Sequence, residues 1–292
     1  MSITLPTVKA KVNLRLLSAG HLFLPMNLFV EGADLAVHKV PTMSWAIEHQ
    51  ETARTVILDL GVRKDIENYT PAIHHRLRNI IKVDVEQDVF DSLSQRGIGL
   101  EDVDTVIFSH LHWDHIGNPR RFGPFTQFVV GPGAGNLLRG PRSYPSDHTS
   151  WFDSNLFPPG QMIELAAAND SSFWSPLGPF PETHDFFDDG SLYIVNAPGH
   201  CPGHINLLAH IGDERWVLLA GDSSHDLGIV HGTKKMAIYR DEATGLPKCA
   251  HQDRVAAEKH LERIRELLKM STVEVFLAHD DSCFEQLYQR FS

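Results

Sequence analysis

Short apolar runs recur along the chain, and several of them end at a glycine. Their β-branched residues and their lengths favour strands rather than helices. The first run ends in a glycine turn, as expected for a buried strand. The predicted strands are residues 54–61, 105–109, 127–130, 191–195, 205–209, 216–220 and 273–277.

Two stretches have the features of helices. Asp88 can cap a short helix that ends at Gly97, because glycine favours the left-handed conformation found at helix C-termini. The second helix is predicted at residues 252–270, where apolar residues recur every three or four positions and form one stripe. The stripe consists of Ala257, Leu261, Ile264 and Leu268.

Prolines and aromatic residues are concentrated in the segment 131–190. This composition predicts mostly loop, with a short helix near residues 162–168. The aromatic residues argue against disorder, because disordered segments contain few of them. Two interpretations stay open: a lid that covers a substrate, or an insertion that packs on the core or forms a dimer surface. No other stretch resembles a linker, so a single domain over residues 1–292 with an insertion at about 131–190 is predicted.

The composition excludes some classes of protein. A net charge of −11, without runs of lysine or arginine, argues against a general nucleic-acid binder. Three cysteines are too few for a disulfide framework and favour a reducing compartment. The apolar stretch near the N-terminus is interrupted by His21, Pro25 and Asn27, so neither a signal peptide nor a membrane span is predicted. We therefore expect a cytoplasmic protein without a membrane partner; a homodimer stays open.

Residues 110–115, His-Leu-His-Trp-Asp-His, are the strongest chemical signal in the chain. They directly follow the predicted strand at 105–109. Clustered imidazoles repel one another when protonated and need partners when neutral, and a metal ion removes both problems. Since alternate residues of an extended segment point the same way, His110 and His112 can bind one ion together. Asp114 and His115 follow where the chain can turn them toward a second ion.

Three later residues supply similar ligands. His200 lies on a tight loop of prolines and glycines, Asp222 follows the predicted strand at 216–220, and His279 follows the one at 273–277. Ligands delivered by several strand ends into one cleft are what a rigid site for two metals requires.

Taken in order, these seven residues resemble the ligand pattern of the metallo-β-lactamase superfamily. The resemblance implies an α/β fold, a four-layer αββα sandwich with the metals at one edge of two central sheets. Chain length and residues 189–200 resemble the lactonase-like members, including N-acyl-homoserine lactonases. An aspartate rather than a cysteine at position 222 resembles the hydrolase branches and not the antibiotic-degrading enzymes.

The resemblance also implies how the ligands are divided between two divalent ions. Asp222 would bridge both ions, the first would be bound by His110, His112 and His200, and the second by Asp114, His115 and His279. Zinc is the default for this donor set; iron, manganese and cobalt suit it as well.

Three neighbouring residues need separate interpretation. His204 is predicted to donate or accept hydrogen bonds beside the site rather than to bind metal. Cys201 is predicted to be a small packing residue, with a soft metal ligand as the alternative. His225 stands where acyl-homoserine lactonases have a tyrosine, so it either donates a hydrogen bond to an oxyanion or has no role.

The function implied is a metal-dependent hydrolase that opens a lactone. A hydroxide bridging the two metals would attack the carbonyl, and Asp114 or a water would supply a proton to the leaving alkoxide. A small-molecule lactone or ester is the expected partner, and an acyl-homoserine lactone would make the reaction quorum quenching. The alternatives are a thioesterase acting on an acyl or polyketide thioester, and a non-catalytic metal-binding protein with a vestigial site.

Overall fold

The first half of the chain forms one β-sheet in the computed structural model, which describes residues 4–241 and 244–292. This first sheet has seven strands in the spatial order β4-β1-β2-β3-β5-β6-β7. The strands are β1 (Val12–Pro25), β2 (Val37–His49), β3 (Thr55–Leu58), β4 (Lys82–Asp84), β5 (Val103–Ile107), β6 (Gln127–Val130) and β7 (Met162–Glu164).

The second half of the chain forms the second sheet. Its first five strands are β8 (Ser175–Leu177), β9 (Phe180–Asp185), β10 (Leu192–Asn196), β11 (Ile205–Gly212) and β12 (Arg215–Leu219). A separate two-stranded hairpin follows, with β13 (Tyr239–Arg240) and β14 (Pro247–Lys248). The last strand, β15 (Val273–Phe276), pairs in parallel with β12 and completes the spatial order β15-β12-β11-β10-β9-β8.

Helices cover the outer faces of both sheets, and the C-terminal helix packs against the apolar layer between the sheets. They are α1 (Pro71–Asn79), α2 (Val89–Gln95), α3 (Trp113–Ile116), α4 (Gly135–Leu138), α5 (Leu227–Val230), α6 (Arg254–Leu267) and α7 (Phe284–Arg290). As predicted, Asp88 caps α2, and its carboxylate accepts hydrogen bonds from two backbone N–H groups. The predicted helix at 252–270 is α6, which Asp253 caps.

Neighbouring residues on the central strands enter different apolar layers. On β5, Val106 packs toward α1 and α2, whereas Ile107 packs between the two sheets. On β11, Leu207 lies between the sheets and Leu208 faces α6. Side chains alternate across a strand, so each sheet is apolar on both faces and needs cover on both. The result is the predicted four-layer αββα sandwich, and the predicted fold is confirmed.

The segment 131–190 differs from its prediction. Residues 162–164 form strand β7 and not a helix, because they pair in parallel with β6 and extend the first sheet. Strands β8 and β9 extend the second sheet, and Trp174 and Phe180 are buried in the core. Most of the aromatic character therefore belongs to the core, while residues 139–161 between α4 and β7 are mainly loop. The single domain stays a prediction.

Within residues 4–241 and 244–292, no helix has both the length and the apolar character needed to cross a membrane.

Candidate metal centre

The histidine-rich stretch follows β5 and is held in place by backbone contacts to two other segments. Ile205 donates to the carbonyl of Ser109, and Leu60 donates to the carbonyl of His115. Gly117 ends α3 with φ +46, where a Cβ atom would meet the backbone of Leu60. A glycine is therefore required for this loop to lie against β3.

Four side chains converge in what we call the first donor group, His110, His112, His200 and Asp222, with ligand atoms within 4.8 Å of one another. Nδ1 of His112 lies 2.9 Å from Nε2 of His110 and 3.0 Å from Nε2 of His200. Oδ2 of Asp222 lies 3.3 Å from Nε2 of His200. Three nitrogens and one oxygen therefore face a common point.

The second donor group consists of Asp114, His115 and His279. Nε2 of His115 lies 3.2 Å from Nε2 of His279, which in turn lies 3.6 Å from Oδ2 of Asp114. Oδ1 of Asp222 lies 3.3 Å from both of these imidazole nitrogens. The two oxygens of Asp222 thus face different donor groups, as a bridging carboxylate must.

The positions of the protons on His115 and His279 indicate that the second donor group accommodates a cation. Nδ1 of His279 faces the carbonyl of Pro41 at 2.9 Å and must donate. Nδ1 of His115 faces the carboxylate of Asp59 at 2.8 Å and donates as well. In neutral rings the two Nε2 atoms then carry lone pairs that point at each other. Oδ1 of Asp222 is buried and accepts no hydrogen bond within the described residues. Lone pairs and an unpaired carboxylate oxygen fit a cation between them.

Burial sets the protonation of the first group. It lowers the pKa of His110 and His200 well below the ordinary value and the pKa of His112 to about 4. These rings are therefore neutral at physiological pH and have the lone pair that a metal needs. Burial raises the pKa of Asp222, but the neighbouring histidines, His115 and His279 foremost, outweigh it and keep the carboxyl ionised.

His115 is the exception among the imidazoles. Burial lowers its pKa, but the carboxylates of Asp222 and Asp59 outweigh burial and raise the pKa well above the ordinary value. Without a metal, His115 is thus the ring that holds a proton, and a metal ion would have to displace it.

His204 and Cys201 lie beside the donor groups. Nδ1 of His204 donates to the carbonyl of Ala197 at 2.8 Å, and Nε2 accepts from the backbone N–H of Asp222 at 3.2 Å. Both ring nitrogens are used, so His204 orients Asp222, as predicted. Cys201 is buried and its sulfur lies 3.6 Å from the carbonyl of Pro202. Burial raises the pKa of this thiol, which disfavours the thiolate that a soft ligand needs.

His225 lies at the donor groups rather than away from them. Its Nε2 is 3.2 Å from Oδ2 of Asp222, and its ring packs on Phe29 at a centroid distance of 4.4 Å.

Asp59 is a site residue that the sequence did not indicate. Its carboxylate accepts hydrogen bonds from the backbone N–H and the hydroxyl of Ser109 as well as from His115. The sequence did contain a signal for it, because Asp59 directly follows an apolar strand. A carboxylate buried at a strand end must have hydrogen-bond partners, and a site provides them.

The donor groups lie at the base of a cleft of about 250 Å³. Phe29 and Trp151 form apolar parts of its walls, and Arg76 and Tyr239 add polar groups. The base is formed by His112, Asp114, His200, Asp222, His225 and His279.

Residues 40–279 match the sequence profile of the metallo-beta-lactamase superfamily. The chain belongs to this superfamily. The predicted superfamily membership is confirmed. A cytochrome P450 monooxygenase, mpaDE' of Penicillium brevicompactum, is 30% identical over 300 residues, which are 96% of this chain and 34% of that protein. The chain thus spans about a third of the length of that relative.

Other superfamily members are similar over different extents. Gamma-lactamase MBL2 of Gibberella moniliformis is 34% identical over 177 residues, which are 59% of this chain and 72% of that protein. The structure of an N-acyl homoserine lactone hydrolase with the product N-hexanoyl-L-homoserine at its catalytic metal centre has a TM-score of 0.69. It is 18% identical and covers 96% of this chain and 97% of its own, so it shows the shared fold.

Proposed function

We propose that this metallo-β-lactamase superfamily member is a metal-dependent hydrolase that opens a lactone ring. The observation that supports it is Asp222, whose two oxygens face two donor groups at the base of a substrate-sized cleft. A vestigial site would not need to keep both groups and the hydrogen bonds that orient them.

The proposed ligands follow the two donor groups. His110, His112 and His200 would bind one divalent ion, Asp114, His115 and His279 a second, and Asp222 both, with zinc as the default. When bound, the ions supply Lewis-acid chemistry, polarising a carbonyl and lowering the pKa of water toward neutrality.

Two residues of the chain have further proposed roles. Nε2 of His225 lies beside Asp222 and can donate a hydrogen bond to the carbonyl oxygen as negative charge develops there. Asp114 lines the cleft and is the proposed carrier of the proton that the leaving alkoxide takes up.

The size of the cleft supports a small substrate. Pockets for drug-sized ligands enclose roughly 300–1,000 Å³, whereas this cleft encloses about 250 Å³. A compact lactone, or one with a short acyl chain, fits this volume better than a long-chain acyl-homoserine lactone does.

A γ-lactam is the second candidate substrate. It is supported by gamma-lactamase MBL2, which is 34% identical to this chain over 177 residues. A lactam and a lactone present the same carbonyl group and differ in the leaving group. The amine of a lactam must be protonated before it departs.

Hydrolysis of a matched panel by metal-loaded protein tests the proposal. The panel contains γ-butyrolactone, a short-chain N-acyl homoserine lactone, a γ-lactam and an acyl thioester. Acid release at constant pH follows the lactones and the thioester, and chromatography follows loss of the γ-lactam, whose hydrolysis releases no net acid. We expect lactone opening that stops on chelation and returns when metal is added. Hydrolysis of the thioester alone would favour the thioesterase alternative, and bound metal without any turnover would favour the vestigial site.

A further inference from the structure

Arg76 is a cationic side chain in the cleft with a buried donor atom, Nε, that is not satisfied. It lies on α1 three residues after Ile73, which is buried in the core, so both side chains are on the inner side of the helix. Nε of Arg76 is buried and has no hydrogen-bond partner among residues 4–241 and 244–292. Over the same residues the guanidinium forms no ion pair.

Two other half-buried arginines show the usual arrangement. Arg63 donates to both carboxylate oxygens of Asp65, at 2.8 and 2.6 Å. Arg265 donates to the backbone carbonyls of Val230 and Ile229, at 2.9 and 2.8 Å. Leaving a charged donor without a partner in a partly buried site is costly, so Arg76 calls for a ligand.

The indole of Trp151 holds the guanidinium in place without satisfying its N–H groups. The central carbon of the guanidinium lies 4.8 Å from the centroid of the ring, at cation–π distance. A stacked guanidinium keeps its edge free for a planar acceptor. The same indole lies 6.2 Å from the ring of His112, so Arg76 is one side chain away from the first donor group.

The charges around Arg76 leave its guanidinium available to bind an anion. Burial lowers its pKa, and the carboxylate of Asp114 partly opposes this effect. The carboxylate of Asp114 belongs to the second donor group, so a bound cation would occupy it. The ionised guanidinium would then be the free charge on this wall of the cleft.

We propose that Arg76 is a specificity-determining residue that binds a carboxylate of the substrate. This rests on the proposed function and deepens it: the preferred substrate is a compact lactone that carries a second, anionic group away from the reacting ester. The planar fork of a guanidinium matches a carboxylate through two parallel hydrogen bonds, which a neutral group cannot reproduce.

A matched pair of lactones tests this. One is dihydrocoumarin with a carboxylate on its aromatic ring, and the other has a carboxamide at the same position, which is neutral and of similar shape. Wild-type protein is compared with Arg76→Met, Arg76→Lys and the control Arg78→Met, which removes a charge from an exposed position on the same helix. Thermal unfolding verifies that each variant folds.

We expect Arg76→Met to lower kcat/KM for the carboxylate lactone by about 10- to 100-fold, mainly through KM, and to change the value for the carboxamide by less than about threefold. Arg76→Lys should retain part of the preference, and Arg78→Met all of it. An equal loss for both lactones would overturn the proposal, because it would mean that Arg76 only supports Trp151. No loss for either lactone would overturn it as well.

Failure of the proposed function has a separate signature. If wild-type protein hydrolyses neither lactone, both compounds are stable ligands for isothermal titration. Tighter binding of the carboxylate than of the carboxamide, lost in Arg76→Met, would still support the role of Arg76. Equal binding of the two compounds by wild-type protein would overturn it.

Discussion

The carboxylate of Asp59 lies 2.8 Å from Nδ1 of His115, on the side of the ring opposite the proposed metal. The same carboxylate accepts two hydrogen bonds from Ser109, at 2.7 and 2.6 Å. Asp59 has φ +59, a conformation that aspartate and asparagine tolerate better than most residues. One side chain therefore orients a proposed ligand and fixes the start of the histidine-rich loop.

Asp59→Asn is expected to weaken metal binding while keeping the fold. Asparagine tolerates the backbone conformation, but it has one acceptor oxygen for three donors and its amide N–H₂ must face one of them. We expect about 10- to 100-fold weaker binding at the second donor group, measured by competition with a chromophoric chelator. Asp213→Asn, an exposed position, is the control. Unchanged affinity in Asp59→Asn would contradict the orienting role.

His225 can be tested by a pair of substitutions that separate packing from hydrogen bonding. His225→Phe keeps an aromatic ring on Phe29 but removes the nitrogen beside Asp222. If this nitrogen stabilises the developing oxyanion, kcat falls by about 100-fold while KM and metal content change little. His225→Tyr, which offers a hydroxyl donor, should restore part of kcat. Equal kcat in wild type and His225→Phe would make His225 a packing residue.

The strands that bear ligands could be predicted because each combines a short apolar run with a turn. The run at 105–109 corresponds to β5, and the run at 216–220 corresponds to β12, which precedes Asp222. The spacing of the histidines could not give the distances between donor groups, because these depend on how strands from both sheets meet. His279 comes from β15, whose parallel pairing with β12 is invisible in the local sequence.

Several strands and helices were not predicted, and the β1–β2 hairpin and β7 show two different reasons. The hairpin of β1 and β2 had a signal, since buried Val12, Leu14 and Leu16 alternate with Asn13 and Arg15 along β1. Strand β7 had almost none. It is three residues long, and pairing with β6 rather than its own propensity makes it a strand.

Metal removal should destabilise the protein at neutral pH. Without a cation, the buried carboxylate of Asp222 faces the clustered imidazoles with a proton on His115 in place of two divalent charges. We expect two molar equivalents of zinc to bind, and free zinc at 100 times the dissociation constant of a site to stabilise the fold by about 2.7 kcal/mol per site. Calorimetric unfolding with and without a chelator measures this. Asp222→Asn should bind fewer than two equivalents; two tightly bound equivalents in that variant would contradict a bridging role.

His260 should make the free energy of unfolding decrease with acid, independently of the metals. Its ring is buried beside Phe180, with Nε2 2.7 Å from Oδ1 of Asn206. Burial, with smaller contributions from His204 and Arg263, lowers its pKa from 6.5 to about 3. Protonation of the ring would place a second proton on Nδ1, which has no hydrogen-bond partner among the described residues.

The unfolded state therefore binds this proton below pH 6.5, whereas the folded state does not until about pH 3. The contribution of His260 to the free energy of unfolding is fully present above the unfolded pKa. It decreases as the pH falls from 6.5 to about 3, by about 1.4 kcal/mol per pH unit. His260→Gln keeps an N–H donor for Asn206 and removes the titration. Urea unfolding of chelator-treated protein at several pH values should show a shallower acid decrease for His260→Gln than for wild type. The exposed control His231→Gln should retain the wild-type slope, and equal slopes for all three proteins would show that His260 titrates alike in both states.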